Sequence, residues 1–173
     1  MVDERITPRL HGLAPIIDQS TRVLVLGSFP SVASLAAGQY YAHPQNAFWK
    51  IVAATWLGSA QALQDQPYEA RVACLRAHGL GLWDVYASCQ RQGSLDAAIR
   101  AGEANDLGAL RVSCPQLAAI AHNGGASYRH AHHSAALALP VYQLPSTSPA
   151  NASWSFARKL AAWQAVFSCH GLC

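Results

Sequence analysis

Four short apolar runs, at residues 22–26, 80–85, 117–121 and 141–144, break up a chain otherwise patterned at helical spacing. Their brevity and lack of polar alternation fit strands buried on both faces. Between the first two runs, Phe48, Ile51, Val52 and Thr55 recur at i, i+3, i+4 and i+7, the stripe of a helix with one buried side. A second helix is predicted from Asp65, with Pro67 near its first turn, to a stop at Gly79. Shorter helices are predicted over 94–100 and 106–112, and others over 125–136 and 152–167. Strands that alternate with helices predict a parallel sheet covered on both faces, because parallel neighbours need crossovers and helices supply them.

In such sheets ligands bind beyond the carboxyl ends of the strands. The first strand is followed by "GSFPS", the second ends in "DVYAS", and the third and fourth lead into "HNGG" and "PSTSP". Hydroxyls, amides, aromatics and one carboxylate therefore gather at one rim, which is the expected site.

The length of 173 residues suits a single domain over 1–173. Hydrophobic residues make up 51% of the chain and charged ones 12%, so the core is ample and much of the surface is neutral. Ten of the twelve basic residues are arginine, whose planar fork grips phosphate and carboxylate, and a net charge of +3 permits a nucleic-acid partner without demanding one. The N-terminal "MVDERITPRLHG" has acids and no apolar leader core, and no segment reaches the about 18 apolar residues of a membrane span. No membrane partner and a cytoplasmic location are expected.

Several chemistries lack their residues. The five cysteines are scattered without a C-x-x-C pair, which argues against a disulfide framework, a zinc site or an iron–sulfur cluster. "GSFPS" lacks the G-x-S-x-G spacing of a nucleophile elbow, and no G-x-x-x-x-G-K-[ST] phosphate loop exists. His130 and His133 of "RHAHH" stand one helical turn apart, but with no carboxylate or thiol ligand beside them they read as a solvated face, and no metal is expected. The two lysines, Lys50 and Lys159, lie in no Schiff-base context, which argues against lyase chemistry.

Three blocks carry a resemblance: "LVLGSFPSVASL" with "QYYAHPQNAFWKI", then "GLWDVYASCQRQGSLDAAI", then "LPSTSPANAS". In this order, over Gly12 to about Phe167, they resemble the uracil-DNA glycosylase superfamily, most closely its hypoxanthine-DNA (deoxyinosine) glycosylase branch. The resemblance implies a three-layer α/β/α sandwich around a four-stranded parallel sheet. It further implies hydrolysis of the N-glycosidic bond of a deaminated base in DNA, without metal or organic cofactor; apart from the resemblance, a monomer is expected.

In the superfamily's uracil-removing branches the first loop reads G-Q-D-P-Y or G-I-N-P-G; the Asp or Asn position is Phe29 here, which has no hydrogen-bonding side chain. The resembling branch shifts that duty to the asparagine of its H-P-x-N-x-F-W block, which implies Asn46 as the catalytic residue. Asn46 also directly precedes a predicted helix, where Asn is a favoured cap; the two roles are compatible. An asparagine is no general base at neutral pH, so it would position water and stabilise charge.

The remaining candidates each have a structural alternative. Phe29, Tyr41 and Phe48 could stack on an extruded base, though Phe48 sits on the core-facing stripe. Asp84, where uracil-specific members carry a base-reading asparagine, could accept from N1–H of hypoxanthine, or could cap a turn or pair with Arg91. Asn123 could contact the base or simply satisfy its turn. Ser28, Ser31, Ser146, Thr147 and Ser148 are candidate DNA contacts, the last three in the motif that enters the minor groove; alternatively "PSTSP" is a plain loop with Asn151 capping the next helix. Arg158 and Lys159 are expected in solvent. The function expected is a monofunctional glycosylase acting on DNA that contains a damaged base, hypoxanthine first. A non-catalytic lesion-binding protein, a free-nucleoside hydrolase, or a glycosylase preferring uracil or xanthine are the alternatives.

Overall fold

The computed structural model describes residues 7–173, so the first half of the N-terminal segment read as leaderless lies outside the described residues. The four expected strands form one parallel sheet. We number the strands β2 (Val23–Gly27), β3 (Leu80–Asp84), β6 (Ala119–Asn123) and β7 (Val141–Leu144), in the order β3-β2-β6-β7. Val23 pairs with Leu80 on one side and Ala119 on the other, so the strands end level and Gly27, Asp84 and Asn123 reach one rim.

Period-two alternation divides β2 between two cores. Val23 and Val25 face a core filled by Phe48, Ile51, Leu75, Trp163 and Phe167, from helices α2 (Phe48–Trp56), α3 (Tyr68–Ala77) and α6 (Phe156–Cys169). Leu24 and Leu26 face a smaller core with Leu107, Leu110, Cys114 and Leu137, from α4 (Leu110–Ser113) and short 3-10 turns. This is the expected α/β/α layering. No helix among the described residues is long and apolar enough to cross a membrane.

A second sheet was not expected. β1 (Arg9–His11), β4 (Tyr86–Gln90) and β5 (Arg100–Ala104) form an antiparallel sheet in the order β1-β4-β5. The helix predicted over 94–100 is instead a 3-10 turn, Asp96–Ala98, leading into β5. β5 is exposed throughout and is held through polar groups: the Ser88 hydroxyl accepts from Arg9 (2.7 Å) and donates to Glu103 (3.1 Å). Two further helices, α1 (Val32–Ala37) and α5 (Gly125–Tyr128), follow the first and third rim loops. The segment predicted as helix over 125–136 breaks after α5 into a 3-10 stretch, Ala131–Leu137.

The last helix starts later than its spacing suggested. Ser155, not Asn151, caps α6, accepting from the Arg158 amide at 3.3 Å, whereas Asn151 donates to the Ser146 carbonyl at 3.1 Å and closes its own loop. Lys159 is only 6% exposed, contrary to the solvated position expected; burial lowers its pKa.

Candidate active site

The rim loops enclose a cavity of about 590 Å³ above the ends of β2 and β3, lined by Gly27, Phe29, Tyr41, Asn46, Asp84 and Asn123 among others. Gly27 makes room at its floor. A Cβ there would fall 2.5 Å from the Asp84 Oδ1 and 3.7 Å from the Tyr41 hydroxyl, so the missing side chain lets carboxyl and phenol meet.

Asp84 is 4% exposed, and its Oδ2 is buried without a hydrogen-bond partner. Burial, reinforced by the nearby Asp96, pushes its pKa up to about 7 against the opposing pull of Arg91. The Asp84–Arg91 ion pair entertained from sequence does not form. The Arg91 guanidinium instead donates to the Pro30 carbonyl and lies 5.1 Å from the centre of the Phe29 ring. Arg91 thereby fixes the first rim loop from below, and Phe29 presents itself to the cavity from a braced position.

The Tyr41 hydroxyl is likewise buried and unpartnered. Burial and the Asp84 charge raise its pKa, so it is a protonated donor at neutral pH; the Asn123 amide lies close enough to offset part of that rise. Tyr41 adopts a left-handed backbone (φ 54°), uncommon for a bulky residue and characteristic of sites where surrounding structure imposes a conformation. Its ring rests on Phe48, with centroids 4.3 Å apart.

Phe48 is therefore corrected from a stacking surface to a support. It is fully buried, wedged among Tyr41, Trp49 and Trp163, with no face toward the cavity. The stripe spacing that placed it on a core-facing helix side was the decisive signal.

Asn46 lines the cavity and also orders the chain. Its Oδ1 accepts from the Phe48 amide (2.9 Å), an Asx-type turn two residues before α2 begins, with Ala47 rather than Asn46 at the cap position itself. With the oxygen so engaged, the Nδ2 amide hydrogens have no partner among the described residues and are the group Asn46 can offer to a ligand or water. Capping and ligand contact thus use opposite ends of one amide.

Thr147 is also corrected, and Asn123 holds it from the cavity wall. Asn123 Nδ2 donates to Thr147 Oγ1 and the Thr147 amide donates to Asn123 Oδ1, both at 2.9 Å, so Asn123 braces a loop at the cavity it lines. Thr147 is 1% exposed, which removes it from any phosphate contact. Its carbonyl accepts from the Ala47 amide at 2.9 Å, tying the loop to the start of α2. Gly124 (φ 94°) is needed at this junction, since a Cβ would sit 2.9 Å from that of Ser146. Ser28 is similarly buried, set into the cavity wall at 8% exposure.

Ser31, Ser146 and Ser148 lie at the cavity margin with turn-forming bonds. The Ser31 hydroxyl caps α1 through the Ser34 amide (3.1 Å), Ser146 accepts from the Ser148 amide (3.2 Å), and Ser148 from the Ala150 amide (3.2 Å). Sequence reasoning missed Ser94, Leu95 and Asp96, which close the cavity from the second sheet. The Ser94 hydroxyl accepts from the Val32 amide at 2.9 Å, and Gly93 before it was the available turn signal. Among the described residues, no group of three or more His, Cys, Asp or Glu is placed to hold a metal ion.

Comparison with known proteins agrees with this geometry. Residues 14–167 match the family model of the uracil DNA glycosylase superfamily. Proteins named hypoxanthine DNA glycosylase from Methanosarcina acetivorans and Methanosarcina barkeri are 36% and 34% identical over 159 residues, covering 91% of this chain and 97% of each relative. A solution NMR structure of a Methanosarcina acetivorans protein, described as a candidate uracil DNA glycosylase, superposes with a TM-score of 0.82 at 34% identity, covering 95% of this chain and 99% of that one.

Proposed function

The chain belongs to the uracil DNA glycosylase superfamily, and within it we propose a monofunctional DNA glycosylase that removes hypoxanthine from DNA by hydrolysis of the N-glycosidic bond. The observation that carries this reading is the pair of buried, unpartnered groups at the cavity floor, the Asp84 carboxyl and the Tyr41 hydroxyl. Hypoxanthine presents N1–H beside O6, a donor next to an acceptor. An ionised Asp84 accepts from N1–H and Tyr41 donates to O6, so each orphaned group gains a partner only when a base of this pattern is extruded into the cavity. Adenine reverses the pattern and sets its N1 acceptor against the Asp84 carboxylate.

Asn46 is the catalytic residue of this proposal. Its free amide hydrogens hold the attacking water at the sugar, and its dipole opposes the charge that develops as the bond to the base breaks. The acid pair at the floor and the amide at the rim divide recognition from chemistry. Ser31, Ser146 and Ser148 contact the DNA backbone at the cavity margin. The enzyme acts as a cytoplasmic monomer and uses no cofactor.

The test is a panel of duplex oligonucleotides, each bearing hypoxanthine, uracil or xanthine, treated with the protein and then with hot alkali to cut abasic sites. Strand cleavage at hypoxanthine above the other lesions is expected. Tight binding without abasic product would replace this reading with a lesion-binding protein, and cleavage confined to free inosine would replace it with a nucleoside hydrolase.

A further inference from the structure

A second cavity, of about 320 Å³, adjoins the first and shares Tyr41, His43 and Asn46 with it as a common wall. The two differ in charge. The first has two carboxylates, Asp84 and Asp96, in its lining and no lysine or arginine; the second has Lys50 and Arg71 and no carboxylate.

The donors of the second cavity are prepared for an anion. Arg71 spends Nε on the Gln66 carbonyl (3.1 Å) and Nη2 on the Gln64 carbonyl (2.9 Å), which fixes the guanidinium in the cavity wall and leaves Nη1 without an acceptor among the described residues. His43 Nδ1 faces the Gln45 amide at 3.1 Å and accepts from it, so the ring proton sits on Nε2 and is available to donate. Lys50, exposed on the first turn of α2, makes no ion pair with any described carboxylate within 4 Å.

From this arrangement we infer that the second cavity is the seat of a DNA backbone phosphate adjacent to the extruded nucleotide. The inference rests on the glycosylase reading, because it places the base in the first cavity and the sugar at Asn46. The backbone runs from that sugar to a phosphate on either side, and each must cross a margin of the first cavity. The margin at Leu95 and Asp96 repels phosphate, whereas the wall at His43 and Asn46 opens directly onto Lys50 and Arg71. The phosphate held there would anchor the strand while the neutral, partly acidic first cavity admits only the base.

The experiment measures the affinity of the full chain for an inosine-containing duplex at several salt concentrations, for wild type, Lys50→Gln and Arg71→Gln. Loss of one phosphate contact should lower affinity about 10-fold at low salt and reduce the slope of log K against log salt by about 1, with the single-turnover rate at saturating DNA within about 2-fold of wild type. Replacing one of the two phosphates flanking inosine by a neutral methylphosphonate should weaken wild-type binding to a similar extent, and Lys50→Gln should then add little. Unchanged slopes in both variants, with melting temperatures retained, would overturn the inference, as would full additivity of Lys50→Gln with methylphosphonate at either position. Lys50 is exposed, so its variant reports binding without a folding penalty even if Arg71→Gln loosens the loop it braces. Absence of excision by wild type on every lesion would instead remove the glycosylase reading, which separates the two failures.

Discussion

Asn123 and Thr147, 24 positions apart, exchange two hydrogen bonds of 2.9 Å each, amide to hydroxyl and backbone to amide. The Thr147 carbonyl then holds the Ala47 amide, so the ends of β6 and β7 and the start of α2 form one continuous clamp around the cavity. Asn46 is adjacent to this clamp and inherits its position from it. Removing one partner leaves buried groups unsatisfied, at about 1–3 kcal/mol.

Thr147→Val and Asn123→Ala should each lower stability by about 1–3 kcal/mol, measured by urea unfolding, and should reduce excision through the loop they hold. The double variant should cost less than the sum, with a coupling of about 0.5–3 kcal/mol. Additive losses would show that the two side chains act separately.

Asn46 separates into its two ends by substitution. Asn46→Ala removes both cap and donor, so excision should fall about 100-fold or more and stability by about 1 kcal/mol. Asn46→Ser retains a favoured capping oxygen and loses the amide hydrogens, so it should recover most of the stability but little of the activity. Single-turnover excision with thermal melting checks both. Full activity in the serine variant would leave Asn46 with the cap alone.

The parallel sheet, the rim and the position of Asn46 beside it were legible in the sequence because each leaves a local pattern: a short apolar run, a turn motif, an amide before a helical stripe. The second sheet was not. Arg100–Ala104 is exposed at every residue, and its strand state is imposed by pairing with Tyr86–Gln90. Thr147 illustrates the same limit at the site. A hydroxyl in a Ser/Pro loop reads as surface, and only its distant partner Asn123 explains why it is buried. The unpartnered state of Asp84 and Tyr41 is invisible to composition, since it depends on the space that Gly27 leaves.

Asp84 should impose a pH profile on recognition. Its pKa of about 7 makes the carboxylate, the form that accepts from N1–H, the majority species only above neutrality. Excision of hypoxanthine under kcat/KM conditions should rise as pH increases through about 7 and plateau above it. Asp84→Asn, whose amide oxygen accepts at every pH, should flatten this limb. A wild-type profile that is flat from pH 6 to 8 would remove Asp84 from base reading.

The same carboxyl sets a stability balance against His122. Asp84 has a folded pKa above its ordinary 3.8, so between about pH 4 and 7 the native state keeps a proton that the unfolded chain has lost, and stability falls as pH rises. His122, fully buried, has its pKa lowered from 6.5 to about 4, chiefly by burial. Its Nδ1 lies 2.7 Å from the Ser127 hydroxyl, which donates to the Leu26 carbonyl (2.8 Å); Nε2 is left without a partner. Between about pH 4 and 6.5 the unfolded chain therefore holds the extra proton, and stability rises with pH. At about 1.4 kcal/mol per pKa unit the two slopes nearly cancel over that window. Asp84→Asn abolishes one of them. Relative to wild type, that variant should gain about 3 kcal/mol between pH 4 and 6.5, read as the difference between the two unfolding free energies at each pH. Parallel curves for variant and wild type would mean that the Asp84 carboxyl is already ionised at pH 4 in the folded protein.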